Sequence, residues 1–321
     1  MGKKADFQLS FDVTSADYIV GKTDRVIVDA IKTVQSHDII QMVSGIKDAG
    51  VVPDLQAGAT NFKGGDFTGV NDGSISIADV SVANSLVTLE EKYSAIQISS
   101  TILKLAQKQG VDPTDIAISD VILELKGNAI AIQYDLAIWQ GDKTKTDKSV
   151  GQFVDGFVKK LKASTSTLLS GVAPVALTNS NAVATISTLL ESYFTTLPKM
   201  TMEKISLYMS PSDFRILYAA TYGLNGIINS QTLNEGKLPE MFTHPLYANV
   251  NIVSTKGLVG LHEYIVSRPD NLLEVVDGNA ERDFIKFYFE DRDEAFLLHI
   301  AFRLGVQVAR FNEVMIQKVA V

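Results

Sequence analysis

Four carboxylates within five residues are the clearest candidates for metal chemistry in this sequence: Glu290, Asp291, Asp293 and Glu294. Clustered carboxylate oxygens are the ligands that Ca²⁺ takes in proteins. However, Arg292 lies among them, and the group separates two strongly apolar stretches that alternate as strands do. We therefore predict a charged hairpin turn here and no metal site.

The histidines offer little for metal binding or acid–base catalysis. They are scattered through the chain at His37, His244, His262 and His299. His262-Glu263 lacks the second histidine that a zinc-protease helix carries four residues on. We therefore interpret all four as structural or surface residues.

Motifs for nucleotide binding and nucleophilic catalysis are absent from the sequence. There is no GxGxxG or GxxxxGK[ST] loop for phosphates, and no GxSxG turn for a serine nucleophile. The chain has no cysteine, which excludes disulfides, thiol catalysis and cysteine-ligated zinc or iron–sulfur clusters. The sequence therefore predicts no cofactor, although catalytic residues that converge only in the fold would escape this search.

The composition is that of a globular chain with an acidic surface. Of its 321 residues, 46% are hydrophobic and 21% are charged, and the net charge is −8. This is enough apolar material for one large domain or two intimate ones. A nucleic-acid-binding protein usually has a basic excess or stripe, and here the densest basic patch is diluted by aspartates. We interpret that patch as a solvated face; it comprises Lys143, Lys145, Lys148, Lys159, Lys160 and Lys162.

The sequence predicts neither a secretory leader nor a membrane span. The N-terminal MGKKADFQLSFDV has no apolar segment of the kind that a leader needs. The longest charge-free run, residues 163–190, is rich in Ser, Thr and Asn, and it is too polar to cross a bilayer. We expect no association with membranes.

The pattern around the only tryptophan predicts one unusually long helix, over residues 113–139. Asp112 fits the N-cap and Pro113 the first helical position, and Asp115 falls in the acidic first turn, so capping explains these aspartates without catalysis. Gly127 inside the helix costs about 1 kcal/mol relative to Ala, which indicates close packing there. Trp139, at the helix end, is interpreted as a core or interface residue.

Residues 51–92 are rich in turn residues and poor in bulky apolar ones. Turns are indicated at Lys63-Gly64-Gly65-Asp66 and at residues 71–74, and the alternation beside them predicts a long hairpin arm. The alternation changes phase at Ala78-Asp79, which predicts a β-bulge. Since a two-stranded arm is marginal alone, it needs a surface to lie on. Lys63, near the tip, either faces solvent or contacts a neighbouring subunit.

The remaining patterns predict a mixture of helices and strands. Helices are predicted from Phe153 to Leu161, from Val183 to Phe194, and after the cap Ser210-Pro211-Ser212-Asp213. Strands are predicted at KISLYMS, ANVNIVS and EYIVS, and the chain closes with a long hairpin that turns at residues 291–293. No repeated βαβ pattern is present, so we predict the α+β class.

Five stretches, taken in chain order, carry a resemblance to a known family. They are KYSAIQISSTILKLAQ, DIAISDVILELKGNAIAIQYDLAIWQGD, YMSPSDFRILYAA, PLYANVNIVST and FYFEDRDEAFLLHIAFRLGVQVARFNEVMIQ. Their order and spacing over about residues 20–321 resemble the tailed-bacteriophage major capsid proteins, which have the Hong Kong 97-type fold. The second stretch is similar to the family's long "spine" helix with its Gly-Asp end, and the last to the closing strands of its peripheral domain.

The resemblance implies a division of the chain into four parts. These are an N-terminal arm and helix (1–50), an extended hairpin arm (51–92), a peripheral domain (93–150 and 270–321) that contains the spine helix, and an axial domain (151–269). The hairpin arm would lie across a neighbouring subunit. The resemblance and the arm together point to these residues as inter-subunit contacts: Phe62, Lys63, Phe67, Asp72, Trp139, Asp291 and Arg292.

The function that the resemblance implies is that of a shell subunit rather than an enzyme. Hexamers and pentamers of the chain would form an icosahedral head that encloses double-stranded DNA without sequence-specific binding. The protein would be found in the virion after assembly in the host cytoplasm. Many members carry an N-terminal scaffolding domain that this sequence lacks, so a separate scaffolding protein, or none, is implied; a portal and decoration proteins are the other expected partners.

A further expectation concerns cross-linking. Some members join an arm lysine to an asparagine of the next subunit, and Lys63 and Asn312 are the candidates here.

Two other functions are alternatives to the phage shell. An encapsulin-like nanocompartment shell would share the fold, and an enzyme of unrecognised α+β fold is the other possibility.

Overall fold

A computed structural model describes most of the chain. The described residues are 34–46, 49–57, 75–94, 118–145, 153–169, 175–222, 239–276, 284–290 and 295–317. Most of the part predicted as an N-terminal arm and helix (1–50), namely residues 1–33, lies outside them. The described residues form both helices and strands, so the α+β prediction is confirmed.

The helices and strands are numbered in chain order. The α-helices are α1 (Ser36–Ile39), α2 (Ile118–Gln140), α3 (Phe157–Ala163), α4 (Ala182–Thr196) and α5 (Pro211–Thr221). The strands are β1 (Gln41–Ser44), β2 (Ala49–Ala57), β3 (Ile75–Ala83), β4 (Ser85–Ser94), β5 (Leu168–Leu169), β6 (Ile205–Met209), β7 (Met241–Thr243), β8 (Val250–Ser254), β9 (Ile265–Ser267), β10 (Leu272–Val276), β11 (Phe284–Glu290), β12 (Ala295–Val308) and β13 (Met315–Ile316).

The described strands form three sheets. One has the order β1-β10-β12-β11, with β4 also paired to β12; the second has the order β5-β13-β9-β6-β8-β7. The third is the isolated pair β2-β3. In the second sheet β6 is parallel to β8 and antiparallel to β9, which is the mixed pairing of an α+β protein rather than a doubly wound one.

The chain divides into two compact units. One comprises Met1–Ile31, Thr88–Ala129 and Asp283–Ala301, and the other Lys32–Val87, Ile130–Arg282 and Phe302–Val321. The division into arms, peripheral domain and axial domain stays a prediction.

The first unit contains the hairpin β11–β12. Its pairing runs without interruption from Phe284↔Ala301 to Glu290↔Ala295, as the closing-hairpin prediction requires, and the turn at 291–294 lies outside the described residues. On β4, Glu91 forms an ion pair of 2.6 Å with Lys126.

The long helix is α2, which runs from Ile118 to Gln140. Its predicted start at Pro113 lies outside the described residues, and its end falls one residue past the predicted Trp139. The amide of Gly141 donates to the carbonyl of Ala137 at 3.0 Å, and the helix stops there. None of the described helices is long and apolar enough to span a membrane.

Two strands of the predicted hairpin arm pair with each other, but the predicted bulge is wrong. Strands β2 and β3 pair residue for residue from Ala49↔Ala83 to Ala57↔Ile75, and Asp79 pairs with Pro53 in unbroken register. The phase change in the sequence has a different origin, because Val80 and Val82 at the root of the arm are buried in a small cluster with Val275.

One predicted helix boundary is also wrong. Helix α3 begins at Phe157, not at Phe153. Gly156 precedes it in extended conformation, and a Cβ there would lie 2.7 Å from the nitrogen of Gly141. The backbone at Gly156 lies so close to Gly141 that no side chain fits there, and its extended conformation excludes it from a regular helix.

The second unit has two main hydrophobic clusters. The first surrounds Trp139 and draws on α2, α3 and strands from both ends of the chain. The second lies between α4, α5 and the six-stranded sheet, whose central strand β6 is buried at every position. Helix α5 starts as predicted, because the hydroxyl of Ser210 accepts from the amide of Asp213 at 3.3 Å.

Candidate functional site

Trp139 is the only predicted inter-subunit residue that lies in the described part of the chain. The others lie outside it, namely Phe62, Lys63, Phe67, Asp72, Asp291 and Arg292. Of the two cross-link candidates, Asn312 is exposed and Lys63 lies outside the described residues.

The structure corrects the inter-subunit role of Trp139. Its side chain is fully buried within its own chain, with ring centroids 5.2 Å from Phe157 and 5.1 Å from Tyr208. Its indole nitrogen donates to the hydroxyl of Ser36 at 3.0 Å. A buried indole that is hydrogen-bonded and surrounded by aromatic rings is a core residue, and it has no surface left for another subunit.

Three glycines allow the segments around the end of α2 to approach one another closely. A Cβ at Gly257 would collide with the indole ring and lie 2.5 Å from the carbonyl oxygen of Asp135. A Cβ at Gly141 would lie 2.5 Å from the carbonyl oxygen of Val154, and the amide of Gly156 donates to the carbonyl of Gly141 at 2.9 Å. The end of α2, the start of α3 and the 256–258 turn therefore meet backbone to backbone.

Asp135 joins α2 to the residues that follow the N-terminal segment. Its carboxylate accepts from the amides of Gln35 at 3.3 Å and Ser36 at 3.1 Å, and from the Ser36 hydroxyl at 2.5 Å. Burial raises the pKa of Asp135, and these hydrogen bonds oppose that rise. We call Gln35, Ser36, Asp135, Trp139 and Gly257 the helix-end junction.

The side chain of Gln35 extends the junction to two further segments. Its amide nitrogen donates to the carbonyl of Ser254 at 2.8 Å, and its amide oxygen accepts from the backbone of Lys256 at 3.0 Å. Segments more than 200 residues apart in sequence are thus held by one side chain. The junction fixes where the N-terminal segment, whose residues 1–33 lie outside the described part, is attached.

A buried glutamate lies beside the junction. Glu274 on β10 is fully buried; its Oε1 accepts from the Tyr134 hydroxyl at 2.6 Å and lies 2.9 Å from His37 Nε2. Burial lowers the pKa of His37, but the hydrogen bond and charge of Glu274, with the charges of Asp135 and Asp38, outweigh it and raise the pKa above its ordinary value. A protonated His37 therefore stabilises the buried carboxylate.

The root of the arm is held by polar contacts as well as by its valines. The amide of Gln307 donates to the carbonyl of Ser81 on β3 at 3.0 Å. The ammonium of Lys160 donates to Gln307 Oε1 at 2.8 Å and also to the carbonyl of Val306. These contacts hold the base of the hairpin. Farther from the base, the pairing of β2 with β3 holds the two strands together.

Two lysines of the basic patch form ion pairs within the chain. The ammonium of Lys159 lies 2.5 Å from Asp142 and 2.6 Å from Asp155, and Lys162 is paired with Glu263. The hydrogen bond from Lys159 holds the pKa of Asp142 well below its usual range. These ion pairs reduce the positive charge that the patch can offer to the phosphates of a nucleic acid.

The described residues do not assemble a recognisable catalytic or metal centre. Among them, no group of three or more His, Asp or Glu side chains could hold a metal ion. The ring of His262 lies 3.0 Å from the carboxylate of Asp213, which also accepts from the hydroxyl of Tyr264 at 3.1 Å. This arrangement ties the start of α5 to the residues that lead into β9, and its role is structural.

The residues that build the junction were not found by the sequence analysis. Asp135 could have been noticed, because it is the one charged residue in the run AIAIQYDLAIW, where a carboxylate is expensive unless it is paired. Nothing in the sequence indicates its partners, since Gln35 and Ser36 lie about 100 residues earlier.

Comparisons with known proteins at the level of sequence give no result. No family model matches the chain, and no curated protein matches it either.

The fold, by contrast, matches solved structures over nearly the whole chain. A chain from the procapsid of satellite phage P4, including size determination (Sid) protein, has a TM-score of 0.57 at 8% identity, covering 92% of this chain and 99% of that one. For the capsid of Myoviridae phage XM1 the TM-score is 0.53 at 14% identity, with coverages of 89% and 91%.

A third match comes from outside the phages. A virus-like particle from Pyrococcus furiosus has a TM-score of 0.50 at 9% identity, covering 93% of this chain and 98% of that one. At these identities the likeness shows the fold and not the activity. The mixed α+β architecture of the described residues therefore matches the Hong Kong 97-type fold, the fold of phage major capsid proteins.

Proposed function

We propose that the protein is the major shell subunit of a tailed double-stranded DNA phage, and that it self-assembles into an icosahedral head. The observation that carries the proposal is the match to the P4 procapsid chain, which extends over 92% of this chain and 99% of that one. A match that covers both chains almost completely leaves little of this chain for a separate catalytic domain.

The hairpin arm supports a role in assembly. Among the described strands, β2 and β3 pair only with each other. An isolated two-stranded ribbon is marginally stable in water, so its open edges and faces favour a partner surface. In a shell that surface belongs to the next copy of the chain, and Phe62, Lys63, Phe67 and Asp72 near the tip would contact it.

Ring formation follows from the geometry of such contacts. An arm that lies on a neighbour makes a head-to-tail contact, and head-to-tail contacts close into rings when the rotation permits. We propose rings of six and five copies. The net charge of −8 favours containment of DNA without sequence-specific binding, because an acidic wall repels the phosphates.

The remaining elements of the proposal concern partners and place. A separate scaffolding protein, a portal and decoration proteins would act with the shell, and assembly would take place in the host cytoplasm before release in the virion.

The second candidate is an encapsulin-like nanocompartment shell. The observation that favours it is the match to the virus-like particle from Pyrococcus furiosus, which covers 93% and 98% of the two chains. The genes that flank the coding sequence separate the two candidates. Terminase and portal genes support the phage head, whereas a gene for a cargo enzyme supports the compartment.

Negative-stain electron microscopy with light scattering on the same sample tests the proposal. We expect closed shells, tubes or rings from the purified chain or from the chain co-expressed with its scaffold. A strictly monomeric protein at high concentration, with and without the scaffold, would contradict the proposal.

Shortening the arm tests its role directly. Because Ala57 pairs with Ile75, residues 58–74 can be replaced by Asn-Gly, which closes a two-residue hairpin without disturbing the buried root at Val80 and Val82. We expect a folded chain that does not form closed shells. Normal shells from this variant would show that the arm is dispensable.

A further inference from the structure

Two loops that precede strands of the six-stranded sheet each expose a large apolar side chain. Met202 is 93% exposed and Leu246 is 74% exposed. Both loops lead into neighbouring parallel strands, β6 and β8, whose first residues Ile205 and Val250 pair with each other. Met202 and Leu246 therefore lie at the same end of these two strands.

The side chain of Asn249 joins the two loops by hydrogen bonds. The amide of Asn249 donates to the carbonyls of Met200 at 3.2 Å and Glu203 at 2.8 Å, and the amide of Ile205 donates to the carbonyl of Asn249 at 2.9 Å. Neighbouring apolar residues of the same loops point inward, because Met200 is buried and Tyr247 packs on Phe194.

Each loop is also fixed internally. The amide of Leu246 donates to His244 Nδ1 at 3.2 Å, and the amide of Val250 donates to the carbonyl of Tyr247 at 2.9 Å. In the other loop, the amide of Glu203 donates to the carbonyl of Met200 at 3.2 Å. Met202 and Leu246 are thus held outward by ordered backbone while the core beneath them is already filled. We call the exposed residues Pro198, Met202, Pro245, Leu246 and Ala248 the apolar tip.

The charges beside the apolar tip are unpaired and of both signs. Lys199, Glu203 and Lys204 are exposed, and within the described part of the chain none of them forms a salt bridge. Because Glu203 and its neighbours Lys199 and Lys204 carry opposite charges, the glutamate of one copy can pair with a lysine of another across a contact.

We propose that the apolar tip is a contact between copies of this chain, in which Met202 and Leu246 are buried and Glu203 pairs with Lys199 or Lys204 of the next copy. The inference rests on the proposed shell function and specifies one of its contacts. It is separate from the arm contact, because it involves other residues on another sheet.

The first test removes the apolar surface without touching the core. The double variant Met202→Ser with Leu246→Ser should fold with an unchanged melting temperature, since both side chains are exposed. Its apparent association constant for assembly should fall at least about tenfold, because two large apolar side chains lose their burial. The matched control is Val175→Ser with Val183→Ser, which are 46% and 40% exposed and lie outside the tip.

The second test exchanges the charges. Glu203→Lys alone, and Lys199→Glu with Lys204→Glu, should each slow assembly by placing like charges together. The triple exchange restores opposite signs across the contact and should recover assembly to near the wild-type rate.

The outcomes separate the contact from the function. If the wild type forms shells and the Met202/Leu246 variant forms them equally well, the contact is refuted and the shell function stands. If the valine control is impaired to the same extent, or the triple exchange fails to recover assembly that each half-exchange has blocked, the contact is likewise refuted. A wild-type chain that stays monomeric with its scaffold contradicts both proposals.

Discussion

The two hydrophobic clusters of the second unit are built in different ways. The cluster between α4, α5 and the six-stranded sheet is made largely of aliphatic and aromatic side chains between Leu177 and Met315. The cluster around Trp139 gathers segments from Val34 to Ile316, and the helix-end junction places a buried carboxylate and closely approaching glycines against it. The first relies mainly on apolar volume, with one buried carboxylate, Asp213, bonded to Tyr264 and His262, whereas the second relies on a denser set of specific contacts.

The difference shows what each cluster has to specify. An apolar core accepts several packings of similar volume, so it supplies stability with modest specificity. A buried polar network that is satisfied in only one arrangement rejects the alternatives. The junction fixes Gln35, Ser36 and the end of α2 relative to the 254–257 turn, which an apolar core alone would fix less strictly.

The largest expected effect on stability comes from adding a side chain at Gly257, where the backbone closely approaches Trp139. Gly257→Ala places a Cβ against the Trp139 ring and the carbonyl oxygen of Asp135, and neither can move without disturbing α2. We expect a loss of at least about 3 kcal/mol in the free energy of unfolding, measured by urea denaturation of the unassembled chain.

Gly260→Ala is the control for that substitution. Gly260 has a φ of 81°, and a Cβ added there would meet nothing within 4 Å, so only backbone strain of about 1–2 kcal/mol applies. Equal losses for the two variants would show that contact at Gly257 is not the cause.

The second prediction distinguishes the contribution of hydrogen bonds at Asp135 to stability from that of its side-chain volume. Asp135→Asn keeps the volume but replaces one carboxylate oxygen by an NH₂ group, so that even when its oxygen still accepts from Ser36, the NH₂ faces the amide of Gln35. We expect a loss of about 2 kcal/mol in the free energy of unfolding. Asp38→Asn, at an exposed position on the short helix α1, should change stability by less than about 0.5 kcal/mol.

The apolar cluster should tolerate a comparable change of shape. Leu190→Met conserves volume at a fully buried position of α4, and we expect a loss of about 1 kcal/mol. The comparison with Asp135→Asn is direct, since both are near-isosteric substitutions at buried positions. A loss at Leu190 as large as that at Asp135 would remove the distinction between the two clusters.

The sequence predicted local features well and long-range ones poorly. The cap at Ser210, the strand β6 and the end of α2 near Gly141 depend on residues close in sequence, and the structure has each of them. The start of α3 was misplaced because Gly156 is shaped by its contact with Gly141 across a turn. The sequence leaves Trp139 as a core or interface residue, because it cannot show which segments bury the side chain.

The same reasoning explains why the junction escaped prediction. Asp135 is paired with residues about 100 positions away, and such pairs follow from topology rather than from periodicity. The family resemblance supplied the topology as an expectation, and the structural matches confirmed the fold without any sequence match to support it.

The smallest expected effect is a difference in pH dependence between two histidines, one in each region. The pKa of His37 is raised in the folded chain by Glu274, so its stabilising contribution is complete below the ordinary value of 6.5 and is lost as the pH rises through the folded pKa. Burial lowers the pKa of His244, so its contribution is complete above 6.5 and is lost as the pH falls.

The substitutions His37→Gln and His244→Gln should therefore respond to pH with opposite signs. The stability lost on His37→Gln should be below about 1 kcal/mol and should shrink above pH 6.5, because the unprotonated histidine no longer pairs with the buried Glu274. The stability lost on His244→Gln should shrink below that pH, because the wild type must then protonate a buried ring. Urea unfolding between pH 5 and 8, a range of about three units around the ordinary histidine pKa, measures both. Parallel pH profiles would mean that Glu274 does not hold His37 in its protonated form, and that the contact beside the junction is not ionic.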